Sequence, residues 1–177
     1  VSEEEECARV LDVVKALASK GICVSIDTRH APVARAALEA GASIINDVSG
    51  FRDPAMVDLA ASCDAGLVVM HMGGDDPRTM QNEPVYEDVV AEVCDYLKAQ
   101  ADNLIGHGVA RERICLDPGP GFGKTAKQTV ELMRNFHEFN HLGFPTMVAV
   151  SRKSYIGEAY HIEDPKERDS ASAAEAL

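Results

Sequence analysis

Tryptophan is absent from the 177-residue chain and aromatic residues make up only 5%, so a ring set in a polar loop needs a reason to be there. Positive charge is also scarce. Seventeen Lys and Arg face 29 Asp and Glu, for a net charge of −12, and this argues against nucleic acid or an anionic membrane as partner, since both are bound through excess Lys and Arg. Any anionic substrate must be met locally. No apolar run reaches the length of a membrane span, and the first residues, VSEEEECARV, are acidic where a signal peptide would be basic. A cytoplasmic protein is expected. The five cysteines (Cys7, Cys23, Cys63, Cys94, Cys115) are odd in number, widely spaced and never form C-x-x-C. That pattern excludes a disulfide framework and a zinc knuckle, leaving reduced, mostly packed thiols. What remains, 46% hydrophobic and 26% charged, is the composition of one soluble globular domain with a real core.

The chain alternates helix and strand patterns. SEEEECARVLDVVKALASKG reads as a helix with Ser2 as N-cap, Glu5 completing a capping box, Gly21 as the stop and an apolar stripe of Val10, Val13, Val14 and Leu17. ICVSIDT is a short β-branched strand, followed by the proline-started helix APVARAALEAG and the strand SIINDVSG. A helix near 54–64, the strand GLVVMHM, the polar loop GGDDPRTMQNEP and a helix from Val85 to Ile105 come next. The strand RICLD, a helix near 126–141 and the strand TMVAVSRKS complete the series. Five strands with uninterrupted apolar runs predict a parallel sheet covered on both faces, in one α/β domain spanning residues 1–177.

Polar residues gather at the strand ends: Asp27 with Thr28, Asn46 with Asp47, His71, Asp117, and Arg152 with Lys153. In a parallel α/β fold that edge carries the active site. Any one such residue could instead be a helix N-cap. Two Asp, an Asn and a Lys suit a flat heterocycle with an amidine-like edge, because Asp accepts N–H bonds, Asn offers one acceptor and one donor side, and Lys donates. The rival use of the carboxylates is a metal site, but no cluster has tight ligand spacing. At SRKSYIG a strand runs into a helix start, where Ser154 and neighbouring N–H groups could hold an anion, and Arg152 could brace an aspartate. Phe122, flanked by glycines, fits a ring-stacking role.

Two motifs are decoys. LDPGPGFGKT ends as a P-loop ends, yet Pro118 stands where the P-loop needs its first glycine, and Pro118 and Pro120 lack the N–H donors such a loop aims at phosphate. HEFNH, residues 137–141, is a literal H-E-x-x-H, with His161 or Glu163 conceivable as a third zinc ligand. It closes a helix before TMVAV and so falls at the N-terminal ends of the strands, away from the polar residues.

Taken together and in order, VSIDT, GASIINDVSG, MHMGGDDPRTMQ, LDPGPGFGKT and SRKSYIG resemble the dihydropteroate synthase family of folate biosynthesis, over nearly the whole chain. The resemblance implies a (β/α)8 TIM barrel in which p-aminobenzoate attacks 6-hydroxymethyl-7,8-dihydropterin pyrophosphate and releases pyrophosphate. It implies pterin contacts from Asp27, Asn46, Val48, Met70, Asp117 and Lys153, with Asp27, Asp117 and Lys153 catalytic. It also implies p-aminobenzoate contacts from Phe122 and Ser154, a supporting role for Arg152, and a homodimer. Ala149 stands where the family often has glycine. A complete barrel takes about 250 residues, so the chain is expected to hold family strands 3 to 7 of an incomplete barrel. The Mg²⁺-binding asparagine and much of the pyrophosphate grip would then lie outside it, and the isolated segment would lack full activity. Other uses of such a fold are the pterin-binding domain of a corrinoid methyltransferase, which has no use for SRKS or DPGPGFGK, and a non-catalytic pterin-binding module.

Overall fold

Short apolar runs become strands, each followed in the chain by a helix. A computed structural model describes residues 1–74 and 85–177. Among them, β1 (Ser25–Asp27), β2 (Ile44–Asp47), β3 (Gly66–Met70) and β4 (Ile114–Asp117) form a sheet in the order β1-β2-β3-β4. The β1–β2 and β2–β3 pairs are parallel, with Asp27 opposite Asn46 and Asn46 opposite Val68. Strand residues buried on both faces explain the apolar run of β3.

The helices are α1 (Glu3–Ala18), α2 (Ala31–Glu39), α3 (Pro54–Ala61), α4 (Val89–Gly106), α5 (Ala126–Arg134), α6 (His137–Asn140), α7 (Ser154–Tyr160) and α8 (Asp169–Glu175). None of the described helices is long and apolar enough to cross a membrane. Ser2 caps α1 by accepting from the Glu5 N–H at 3.2 Å, but the Glu5 carboxylate turns to Arg9 and leaves the capping box half made. Val13 is 57% exposed, so the buried stripe of α1 is narrower than its sequence pattern. Helix α4 starts at Val89 and not at Val85, because Asp88 accepts from the N–H groups of Val90 and Ala91 while Glu92 accepts from those of Glu87 and Asp88. The preceding polar loop falls largely on residues 75–84, outside the described residues.

The chain clusters into two compact units, Val1–Met70 with Ala99–Cys115 and His71–Lys98 with Leu116–Leu177. The first is built on Ile45, Leu67, Val33, Ala34, Met56, Leu59 and Leu104, all essentially buried. The second packs Val150, Tyr155 and Ile156 of the α7 region against Val130 and Met133 of α5.

Two sequence expectations change in the second unit. The fifth strand, TMVAV, is reduced to a single parallel bridge from Thr146 to Leu116, with Leu116 N–H donating to the Pro145 carbonyl and Met147 N–H to that of Leu116. One bridge is not a ladder, and Val148 stays 36% exposed. The helix expected over 126–141 breaks at Asn135 and Phe136 into α5 and α6.

Candidate active site

In the first unit the parallel register sets Asp27, the last residue of β1, beside Asn46, the last but one of β2. Burial pushes the Asp27 carboxyl above its usual range, while a hydrogen bond from the Asn46 side chain opposes it. Donating to Asp27 fixes the Asn46 amide with its oxygen turned away. Asn46 Oδ1 is buried and has no hydrogen-bond partner among the described residues. Buried polar atoms are paired in more than about nine cases of ten, so an orphan acceptor at a strand end marks a place where a donor belongs.

The neighbouring Asp47 has the bland role. Its Oδ1 accepts from the Ser49 N–H at 2.8 Å and the Ser49 hydroxyl at 2.6 Å, and its Oδ2 from the Phe51 N–H at 2.9 Å. Those bonds hold the turn in which Phe51 takes φ of 59°. Thr28 and His30, just past β1, both hydrogen-bond Glu6 of α1, at 2.6 and 2.7 Å. Of the remaining predicted residues here, Val48 is half-buried and Met70 is 2% exposed.

In the second unit Asp117 closes β4, 1% exposed, with Oδ1 accepting the Gly119 N–H at 2.8 Å. The loop beyond it is a tight turn. Gly119, Gly121 and Gly123 all have positive φ. A Cβ on Gly123 would lie 2.5 Å from the Gly73 Cα, so two backbones touch where no side chain fits. Thr125, the last residue of the P-loop look-alike, is the N-cap of α5 in a full capping box with Gln128. That role was readable from T-x-x-Q and was masked by the stronger pattern of GKT.

Lys153 precedes α7 and reaches back to this loop. Its Nζ donates to the Pro120 carbonyl at 2.6 Å and sits 4.5 Å from the centre of the Phe122 ring. Burial pulls the Lys153 ammonium below its usual range, with Asp117 opposing. Ser154 begins α7 and is exposed.

The turn before it is strained, Arg152 having φ of 55°. Three residues of the α8 region hold that turn. Ser172 Oγ accepts the Arg152 N–H at 2.9 Å, and Asp169 pairs with the Arg152 guanidinium. Arg168 donates to the carbonyls of Arg152, Lys153, Ile162 and Glu163. Arg152 thus does brace an aspartate, but the aspartate is Asp169, outside the predicted set. Arg168, Asp169 and Ser172 carried no sequence signal, because their partners in the Arg152 turn lie 15 to 20 positions away.

His137, which opens the four-residue α6, and His141, which caps its end, stand edge to face with ring centres 6.3 Å apart, and His137 lies 3.2 Å from Glu138. Among the described residues no three His, Cys, Asp or Glu side chains group as a metal site.

Similarity extends over the whole of this arrangement. The chain is 45% identical to the dihydropteroate synthase of Synechocystis over 170 residues, which is 95% of this chain and 58% of that protein. The dihydropteroate synthase of Thermus thermophilus solved with 4-aminobenzoate superposes with a TM-score of 0.93 at 46% identity, covering 99% of this chain and 67% of that one. The same enzyme solved with 6HMPPP superposes equally well, at 0.93 over 69% of its length. The chain spans about six tenths of the length of the curated relatives it matches, 58% for Synechocystis and 61% for Escherichia coli. These structures are barrels of the parallel α/β kind that the strand order indicates. Residues 1–177 match the family described as pterin binding enzyme without remainder, and the chain belongs to that family.

Proposed function

We propose that this chain carries the pterin-binding part of a dihydropteroate synthase, which joins 6-hydroxymethyl-7,8-dihydropterin pyrophosphate to p-aminobenzoate and releases pyrophosphate. The observation that carries the reading is the orphan acceptor Asn46 Oδ1 beside the Asp27 carboxylate. Two acceptors side by side fit the N–H-rich edge of a pterin. Asp117 and Lys153 belong to the same set, with Val48 and Met70 lining the ring, Phe122 and Ser154 meeting p-aminobenzoate, and Arg152 supporting Lys153. Loss of pyrophosphate leaves positive charge on the pterin methylene, which the carboxylates of Asp27 and Asp117 stabilise. Binding also holds the aryl amine in line for attack. The reading brings with it a magnesium ion, a cytoplasmic location and a homodimer, none of which any side chain described above requires.

The test is pyrophosphate release by the full-length protein together with pterin binding by calorimetry. Wild type is expected to bind the pterin pyrophosphate and turn over. Asn46→Leu and Asp117→Asn should each weaken pterin binding by about tenfold or more, since one deletes an acceptor and the other sets a donor against a donor. Wild-type protein that neither binds the pterin nor releases pyrophosphate would overturn the reading.

A further inference from the structure

The loop from Pro118 to Gly123 contains two residues without a backbone donor. Pro118 and Pro120 have no N–H, and the backbone bond inside the turn runs from the Phe122 N–H to the Gly119 carbonyl, at 3.0 Å. Its carbonyls are satisfied mainly by side chains. Tyr86 hydroxyl donates to Gly123 O at 2.9 Å and Lys153 to Pro120 O at 2.6 Å. Lys124 takes two more, Gly119 O at 3.0 Å and Phe122 O at 3.1 Å, the latter shared with the Gly73 N–H at 3.3 Å.

Lys124 is itself 3% exposed, and its third neighbour is Nδ1 of His71 at 2.8 Å. With the Nε2–H tautomer of His71, the ammonium has three N–H groups and three acceptors, and none is wasted. His71 is 6% exposed and held edge-on to Tyr96 with ring centres 4.9 Å apart. Burial pulls the Lys124 pKa down to about 7, the Asp117 carboxylate raising it and the Lys153 ammonium lowering it further. A cation so placed is too buried to meet a substrate. Its bonds run to the loop.

We propose that Lys124 is a positioning residue for the second substrate: an internal cation that fixes the turn from Gly119 to Gly123, and through the Phe122 carbonyl fixes the Phe122 ring against the Lys153 ammonium. The proposal rests on the reading of Phe122 as a p-aminobenzoate contact. His71 is the acceptor that orients the ammonium, which gives this buried histidine a purpose apart from substrate binding.

The experiment uses the full-length protein with Lys124→Met, alone and combined with Phe122→Ala. The KM for p-aminobenzoate should rise about tenfold or more in Lys124→Met while kcat and pterin affinity stay within about threefold. In the Phe122→Ala background the same substitution should add less than about twofold, because its effect passes through the ring that has been removed. Amide hydrogen exchange supplies a reading that needs no activity: the Phe122 N–H should exchange about tenfold faster or more in Lys124→Met, with the β1 and β2 amides unchanged.

Unchanged exchange at Phe122, or a KM effect of equal size with and without the ring, overturns the proposal. If wild type condenses nothing, the synthase reading fails and the exchange result alone decides on Lys124. If Lys124→Met does not fold, His71→Phe, which removes one of the three acceptors, should speed exchange at Phe122 by about threefold, and no change there overturns the proposal equally.

Discussion

At the scale of single residues, the groups recognisable from sequence were those that end strands, and the structure sorts them by what their side chains touch. Asp47 is consumed by its own turn, whereas Asn46 keeps an acceptor with no partner among the described residues. Sequence alone could not separate the two, since both are polar, adjacent and at the same strand end. Glu6 shows the same limit from the other side, reading as one of four glutamates opening α1 but holding Thr28 and His30. Burial would raise its pKa, yet the hydrogen bonds from Thr28 and His30 and the His30 charge win, and the carboxyl is held below its ordinary value. A carboxyl depressed in the folded state stabilises it above the unfolded value and loses that contribution as pH falls through the folded one. Glu6→Ala should therefore cost roughly 0.5–1 kcal/mol at pH 7, and the cost should shrink as pH falls through the carboxylate range. Denaturant melts of both proteins at several pH values measure it; a cost as large at a pH where carboxyls are protonated as at pH 7 would contradict the assignment.

At the scale of elements, positive-φ glycines are equivalent in backbone angle but not in surroundings. Gly21 ends α1 with φ of 73° and open space where a methyl would point, while Gly123 has φ of 64° with the Gly73 backbone 2.5 Å from that point. Gly21→Ala should cost about 1 kcal/mol, the strain of the angle alone. Gly123→Ala should cost roughly 2 kcal/mol or more, because backbone must also move. Equal shifts in thermal or denaturant midpoints would show that the contact of the two glycines is not what demands them. Element type was largely legible: β1 to β4 follow from short apolar runs, and α2 and α3 from Pro at the first turn, with an Asp53 cap on α3. The fifth strand was not, because TMVAV has strand composition but makes only one bridge to β4. The break between α5 and α6 was also hidden, since no Pro or Gly interrupts RNFHEF. The loop after β4 was legible as a site and illegible as a mechanism: its glycines and prolines announce a fixed turn, but that Lys124 folds inward to supply donors depends on His71, 53 positions away.

At the scale of the whole molecule, a net charge of −12 must coexist with the pyrophosphate substrate proposed above. Among the residues proposed to touch substrate, Lys153 is the sole cation besides the supporting Arg152, and its ammonium is already shared with the Pro120 carbonyl and the Phe122 ring. One shared ammonium is too little to neutralise a departing pyrophosphate. These 177 residues expressed alone should accordingly release pyrophosphate at well under a tenth of the full-length rate, about 1.4 kcal/mol or more in barrier, and Mg²⁺ should not restore it. Turnover within about tenfold of full length would place sufficient anion-stabilising groups inside this segment. The grip of Arg168, Asp169 and Ser172 on the Arg152 turn reaches into biosynthesis as well. Translation runs from the N-terminus, so a nascent chain that has emerged only as far as Tyr160 already contains Asp27, Asn46, Asp117, Phe122, Lys153 and Ser154. It still lacks the guanidinium, carboxylate and hydroxyl that shape the turn bearing the last two. Ligand capture by ribosome-bound chains should thus be gated by the emergence of α8, and a pause in synthesis between Tyr160 and Arg168 would hold the protein with its substrate residues made and its substrate geometry unmade.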